Sequence, residues 1–308
     1  MFHVKPSTTK AMANTMDNKA PIMREMTLNS ERSKRIAATV VQAPANPRVI
    51  TISNQKGGVG KTTTAVNLAA ALANKGLRVL VVDLDPQGNA STALGVEHHN
   101  GVPGSYEVLV DGAPIADVVK QSPESENLFC LPASINLAGA EIDMVSVPNR
   151  EQVLSSALKT FLASESPRYD FVFIDSPPSL GLLTVNALVA ANEVLVPIQC
   201  EYYALEGLSQ LMATIRLVRD RLNPDLEVNG FLLTMLDPRT KLGGDVVREV
   251  ESHFGDLVYR ARVPRSVRLA EAPSHGISIR SYAPGSSGAE SYAQAASEFA
   301  SRVFGSAA

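Results

Sequence analysis

The sequence predicts an α/β fold, a mostly parallel twisted sheet with helices on both faces. Three observations carry that prediction. From Arg48 onward, short β-branched and apolar runs alternate with segments of helical periodicity. The strand-like runs are apolar at consecutive positions, so both faces of the sheet must be covered. A glycine-rich turn joins the first run to the first helical segment, which is the context in which such a turn carries chemistry.

The elements follow in order. Residues 49–53 (Val-Ile-Thr-Ile-Ser) form the first strand. Residues 62–75 carry Ala65, Leu68, Ala69 and Leu72 at helical spacing and stop at Gly76, a natural helix-ending residue. The next strand, 78–82, ends in Asp83-Leu84-Asp85. A third, 171–174 (Phe-Val-Phe-Ile), ends in Asp175, and 193–198, 228–236 and 257–263 complete the set. Tyr292, Ala295, Ala296, Phe299 and Val303 give 291–304 the pattern of a helix lying on the sheet. No internal repeat or second core is visible, so residues 48–305 read as one domain with a short tail, 306–308.

Residues 1–47 differ in composition. They are rich in Ser, Thr, Asn, Met and Lys, lack sustained periodicity, and carry seven basic against three acidic side chains. They read as a disordered basic extension ending at Pro44-Ala45-Asn46-Pro47. Two readings stand for it: a DNA- or partner-binding tail, and an inert extension or early start codon, with Met12, Met16 and Met26 as later starts.

The 308 residues are 45% hydrophobic and carry a net charge of −3. That composition describes a soluble globular protein. The most apolar stretch, 182–200, is broken by Asn186, Asn192 and Glu193, which argues against a membrane span. The first residues lack a signal-peptide core. Cys130 and Cys200 form no metal-ligand pattern and read as reduced, buried thiols of a cytoplasmic protein. His98, His99 and His253 show no partner pattern and read as surface or structural; for His275 a hydrogen-bonded structural role is preferred over catalysis.

The turn reads Lys56-Gly57-Gly58-Val59-Gly60-Lys61-Thr62, with Thr63 following. Its glycines let the backbone wrap an anion, and its N–H groups and the positive helix end point at phosphate. Lys61 is placed to reach the β- and γ-phosphates, and the Thr62 hydroxyl to ligate Mg²⁺. The common pattern G-x-x-x-x-G-K-[ST] fails at its first position, where Gln55 stands, and Lys56 supplies an extra cation instead. The loop thereby resembles the deviant Walker A loop, K-G-G-x-x-K-[ST], of the P-loop ATPases that include ParA/Soj, MinD and the nitrogenase iron protein. The resemblance implies that Lys56 reaches across a dimer interface to the partner's nucleotide.

Phosphoryl transfer to water needs a metal, charge neutralisation and a held water, which suits carboxylates at the ends of neighbouring strands. Asp175 fits the residue that holds Mg²⁺ directly or through water. By resemblance Asp85 orients the attacking water, while Asp83 supports the metal region. The turns that follow, Pro86-Gln87-Gly88-Asn89 and Ser176-Pro177-Pro178-Ser179-Leu180-Gly181, suit loops that re-order when γ-phosphate is lost.

Longer stretches narrow the resemblance to ParA/Soj over nearly all of residues 48–304. They are 82–89 (Val-Asp-Leu-Asp-Pro-Gln-Gly-Asn), 199–208 (Gln-Cys-Glu-Tyr-Tyr-Ala-Leu-Glu-Gly-Leu) and 271–276 (Glu-Ala-Pro-Ser-His-Gly). This family resemblance implies a weak Mg²⁺-dependent ATPase that sandwiches two ATP molecules in a homodimer. It also implies non-specific binding to double-stranded DNA, with hydrolysis and release stimulated by a ParB-type centromere-binding partner. Arg260, Arg262, Arg265 and Arg268 form a basic run in an otherwise acidic chain, the footprint of phosphate-backbone contact. Arg239 and Arg268 match DNA-binding positions of ParA relatives; any one of these arginines taken alone reads by default as a solvated surface residue or an internal ion pair. Only the family comparison points to the adenine, which it puts near Thr234-Met235 and Val263-Pro264.

Three rival readings are weighed. A MinD-like membrane ATPase would need a basic amphipathic helix at its C-terminus, whereas 301–308 holds one basic residue, Arg302. An iron–sulfur reductase would need cluster-ligating cysteines, which Cys130 and Cys200 do not match. A non-hydrolysing ATP-gated scaffold conflicts with the set Lys56, Lys61, Thr62, Asp83, Asp85 and Asp175. The expectation is therefore a cytoplasmic, nucleoid-associated protein with no membrane partner.

Overall fold

The computed structural model describes residues 41–164, 167–201, 207–237 and 239–305. The expected extension falls mainly on residues 1–40, and the short tail on 306–308; both lie outside the described residues. Residues 41–47, grouped by composition with the extension, pack against the body. Val41 is buried, and the Arg168 guanidinium donates to the carbonyls of Pro44 and Ala45.

In chain order the main elements are β1 (Arg48–Ile52), α1 (Lys61–Ala73), β2 (Val79–Asp83), α2 (Asn89–Ala93), β3 (Lys120–Gln121), β4 (Leu128–Leu131) and α3 (Leu137–Asp143). They continue with α4 (Val153–Ser164), β5 (Phe171–Asp175), α5 (Leu182–Ala190), β6 (Glu193–Gln199), α6 (Leu208–Arg221), β7 (Glu227–Leu236) and α7 (Lys241–Phe254). The chain closes with β8 (Val258–Pro264), α8 (Val267–Glu271), α9 (Ile279–Tyr282) and α10 (Ser287–Gly305).

Among the described residues the strands form one eight-stranded sheet in the order β3-β4-β2-β5-β1-β6-β7-β8. Every pairing is parallel except β3 with β4. The central strands β2 and β5 are buried at every residue, as their unbroken apolar runs require. Alternate residues feed two cores. Val79, Val81, Phe171 and Phe173 pack with α1 and with Tyr292 and Phe299 of α10. Leu80, Val82, Val172 and Ile174 face the other way, towards Leu158, Ala187, Leu211 and Val250 of α4 to α7. The expected α/β sheet with helices on both faces is the observed fold.

This order positions the site. From β1 the chain moves first to strands on one side and then, from β6, to strands on the other, so β1 marks the switch point. In open parallel sheets that is where the crevice beyond the strand ends opens. In the observed register Asp83 lies beside Asp175, and Ile52 beside Asp175.

Candidate active site

The loop leaving β1 is anchored at both ends by side chains distant in sequence. The Asn54 amide donates to Pro197 O (2.7 Å) and its carbonyl accepts the Lys56 N–H (3.0 Å). The Thr234 hydroxyl donates to Val59 O (2.8 Å), while the Val59 side chain is buried. Gly58 and Gly60 stand at φ 74° and 89°, conformations that strain any residue with a Cβ. Gly60 ends the loop, and α1 begins at Lys61. Lys61 is only 7% exposed and its ammonium donates to Lys56 O (3.2 Å). Burial lowers its pKa; the nearby Asp175 and Asp85 charges oppose that.

The three carboxylates have different surroundings. Asp175, at the end of β5, is fully buried, and neither of its oxygens has a hydrogen bond of ordinary geometry. Its pKa lies well above the usual carboxylate range, first through burial and then through the Asp83 charge, with the neighbouring Thr62 hydroxyl and Lys61 opposing. Asp83 is fully buried too, but its oxygens are engaged. It accepts from Ser91 N (2.8 Å), Ser91 Oγ (2.7 Å) and Asp85 N (3.2 Å), and burial holds its pKa up at about 6. Asp83 thus ties α2 and the Asp85 turn to the end of β2. Asp85 is half-buried, accepts Gln87 N (3.0 Å) and lines the loop cavity.

That cavity, about 440 Å³, is lined by Gly57, Gly58, Gly60, Lys61, Thr62, Thr63 and Asp85, with Asn89, Thr92 and Pro178 opposite. A second cavity of about 350 Å³ shares Gly60, Thr63 and Met235 with the first and continues past Thr234, Val263 and Pro264 to Tyr292. Met235 takes φ 52°, an unusual conformation for a side-chain-bearing residue, at the junction of the two spaces. The larger cavity is the more polar of the two and holds the Lys61 side chain; the smaller is walled mainly by apolar groups.

The donor set fits Mg²⁺. Two unpartnered, buried carboxylate oxygens beside a threonine hydroxyl offer hard oxygen ligands. Among the described residues no group of three His, Cys, Asp or Glu side chains forms a metal cage. Mg²⁺ suits such a sparse set because it keeps several waters and takes substrate phosphates as ligands.

The structure brings Lys56, Lys61, Thr62, Thr63, Asp83, Asp85 and Asp175 to one end of the sheet, and puts Pro264 in the adjoining cavity. The arginines lie beyond it. Arg239 is 87% exposed and clasps Asp237 through Nε (2.9 Å) and Nη2 (2.8 Å). Arg262 pairs with Glu251, and Arg265 with Glu201 (3.0 Å). Arg268, on α8, is exposed with no ion pair among the described residues. Lys56 is partly exposed, 3.9 Å from Glu201. Glu201 therefore faces both the extra loop lysine and one of the arginines, a link no local pattern signals. Most of the 199–208 stretch, residues 202–206, lies outside the described residues. His275 stacks on Tyr282 (4.8 Å between ring centroids), so aromatic contact holds it where a hydrogen bond was expected. His98, read from sequence as partnerless, sits on the turn that follows Asp85.

A strand–loop–helix with a buried lysine, a threonine at the helix start and carboxylates on the flanking strands defines a P-loop ATPase with the deviant form of the loop. Comparison with known proteins agrees. Residues 47–228 match a family model described as an AAA domain. The chain is 54% identical to the sporulation initiation inhibitor protein Soj of Bacillus subtilis over 253 residues, 82% of this chain and 98% of that protein. It is 53% identical to the chromosome partitioning protein ParA of Myxococcus xanthus over 245 residues, 80% of this chain and 85% of that one. The chain belongs to the Soj/ParA family of chromosome-partitioning ATPases. Among solved structures, a Mycobacterium smegmatis cobyrinic acid a,c-diamide synthase with bound ADP and magnesium is 39% identical at a TM-score of 0.66, covering 76% of this chain and 91% of that one. The septum site-determining protein MinD of Pyrococcus horikoshii, complexed with Mg-ADP, is 26% identical at a TM-score of 0.66, covering 82% and 95%.

Proposed function

We propose that the chain hydrolyses ATP weakly with Mg²⁺, as a sandwich homodimer that binds double-stranded DNA without sequence preference while ATP is held. A ParB-type centromere-binding partner stimulates hydrolysis and so releases the dimer, which makes the protein a cytoplasmic, nucleoid-associated partitioning switch. The observation that carries the reading is the fully buried Asp175 carboxylate, whose oxygens have no hydrogen bond of ordinary geometry and whose neighbours Lys61 and Thr62 line the loop cavity. Buried polar groups left without partners are costly unless a ligand completes them. The ADP and magnesium of the two solved structures support the same ligands here.

Each residue has a task. Loop N–H groups from Gly57 to Thr62 bind the phosphates, and Lys61 neutralises the β- and γ-oxygens. Thr62 and Asp175 hold Mg²⁺, which when bound neutralises charge on the phosphates. Asp83 holds the Asp85 turn, and Asp85 orients the attacking water. Lys56 leaves Glu201 to reach the partner's nucleotide. The second cavity, with Pro264 and Met235, receives the adenine. Arg239, Arg262, Arg265 and Arg268 face the DNA backbone, and the dimer presents two such sets together. ATP then governs DNA affinity because it favours the state that aligns them.

Fluorescence anisotropy with a random-sequence duplex, with ATP or ADP and at several salt concentrations, tests this. Binding that requires ATP and weakens steeply with salt is expected; equal binding with and without nucleotide would sink the switch. Phosphate release measured with DNA and a ParB-type partner, together and separately, tests the stimulation.

A further inference from the structure

We propose that His98 is a positioning residue for ATP hydrolysis, bracing from outside the turn that carries Asp85. The inference rests on Asp85 orienting the attacking water. The turn is compact: Gly88 N donates to Asp85 O (2.9 Å), and Gly88, at φ 63°, leads directly into α2. The His98 ring lies over Gly88 so closely that a Cβ there would stand 2.7 Å from Nδ1 and 2.9 Å from Cε1. The other ring nitrogen, Nε2, is 2.8 Å from the Thr92 hydroxyl, and that hydroxyl is 3.1 Å from Gly88 O. Thr92 also receives the wall of the loop cavity on one side and that of an outer cleft with Pro86, Gln87 and His98 on the other.

The hydrogen-bond inventory fixes the direction of this chain. Both side-chain contacts of Thr92 are hydrogen bonds at once only when its single hydroxyl proton goes to Gly88 O, since a carbonyl can only accept. The Thr92 oxygen is then the acceptor, and His98 donates from Nε2–H. One ring therefore does two things: it donates to the Thr92 oxygen and so keeps that hydroxyl's proton on Gly88 O, alongside the backbone Thr92 N–H bond to the same carbonyl (2.9 Å), and it fills the space into which the glycine would swing. Removing it frees the hinge between Asp85 and α2 while leaving Lys61, Thr62 and Asp175 untouched. Small misplacements of a water-orienting group cost rate far more than affinity.

The test is steady-state phosphate release by the full chain with Mg-ATP, alongside binding of a fluorescent ATP analogue. H98A should lower kcat about tenfold with KM and analogue affinity within about twofold of wild type. H98Q, whose amide N–H reaches the position of the imidazole Nε2–H, should restore most of kcat, and H98N should not. T92V should give a similar loss, and H98A with T92V together no more than either alone, since both break one chain. Unchanged kcat in H98A, a parallel loss of analogue affinity, or H98Q no better than H98N would each overturn the proposal. If the wild-type chain itself released no phosphate, or D85A matched it, the reading of Asp85 would fail instead.

Discussion

The phosphate loop and the arginine edge are built on opposite rules. At the loop, the site is made of backbone N–H groups and of side chains without freedom: Val59 is 1% exposed, Lys61 7%, Asp83 and Asp175 0%. Each is fixed by connectivity, by core packing or by hydrogen bonds to residues far along the chain. At the edge, Arg239, Arg265 and Arg268 stand in solvent, and two of these three rest on carboxylates that water or another anion can replace. Exposed ion pairs contribute little to stability, so they exchange partners readily. The first region should respond to substitution almost all-or-none, and the second by degrees.

The largest effects are therefore expected at the loop. Lys61→Ala removes the only buried cation described around the cavity, and phosphate release should fall by roughly 10²–10³-fold or more, as when one fixed donor to a developing charge is lost. Residual turnover within tenfold of wild type would break the contrast. Asp85→Ala should also abolish most turnover, by about 10²-fold, yet retain ATP. The variant is then expected to remain on DNA with ATP, read as a lengthened residence time; hydrolysis at the wild-type rate would reassign the water-orienting role.

Asp83 sharpens the comparison from within the buried region. Its carboxylate engages Ser91 and Asp85 N, so its loss should appear in stability as well as rate. Asp83→Ala leaves a buried N–H and hydroxyl of Ser91 without that acceptor, a defect of about 1–3 kcal/mol. Denaturant unfolding of the nucleotide-free protein measures it. An unfolding midpoint equal to wild type would show that Asp83 does not tie α2 to β2.

What was legible in the sequence follows the same division. The loop could be read because Gly58, Gly60, Lys61 and Thr62 are consecutive constraints on one stretch of backbone. The central strands could be read because consecutive apolar residues leave them no solvent face. β4 went unread because four residues, Leu128–Leu131, carry too little pattern, and β3 because Lys120 and Gln121 are polar. Residues 41–47 read by composition as the end of the disordered extension, and only the burial of Val41 and the Arg168 contacts show otherwise. The contacts of Glu201 and of His98, which reads from sequence as surface or structural, were not legible because they are relations between side chains. Nothing local pairs Glu201 with Arg265, or turns the His98 ring onto Gly88. Asp83 is assigned to the metal region by family resemblance, and the bonds from Ser91 that give it a tethering task depend on where α2 packs.

At the arginine edge the expected effects are smaller. Arg268→Ala should weaken DNA binding by about three- to tenfold and reduce the slope of log affinity against log salt by about 1 for each copy in contact with phosphate. Arg262→Ala should do less, because Glu251 already neutralises that guanidinium. Equal losses at the two positions would mean that ion pairing in the free protein does not grade the contribution of an arginine to the bound state.

Asp237 gives the smallest effect and the sharpest sign. Its carboxylate receives Arg239 through Nε, Nη2 and the backbone N–H, and those hydrogen bonds lower its pKa to about 2. The pair is thus fully charged at any pH at which the protein works. In the proposed DNA complex a phosphate must draw Arg239 away from this acceptor before contact forms, and the departing carboxylate is itself repelled by the phosphate. Asp237→Asn removes the charge while keeping a carbonyl oxygen for the Arg239 N–H, so the local backbone is retained. DNA affinity in ATP should rise by about two- to threefold, with phosphate release unaltered. If affinity falls instead, Asp237 does not compete with DNA but holds Arg239 in the orientation that meets it, and the edge is more preorganised than its exposure implies.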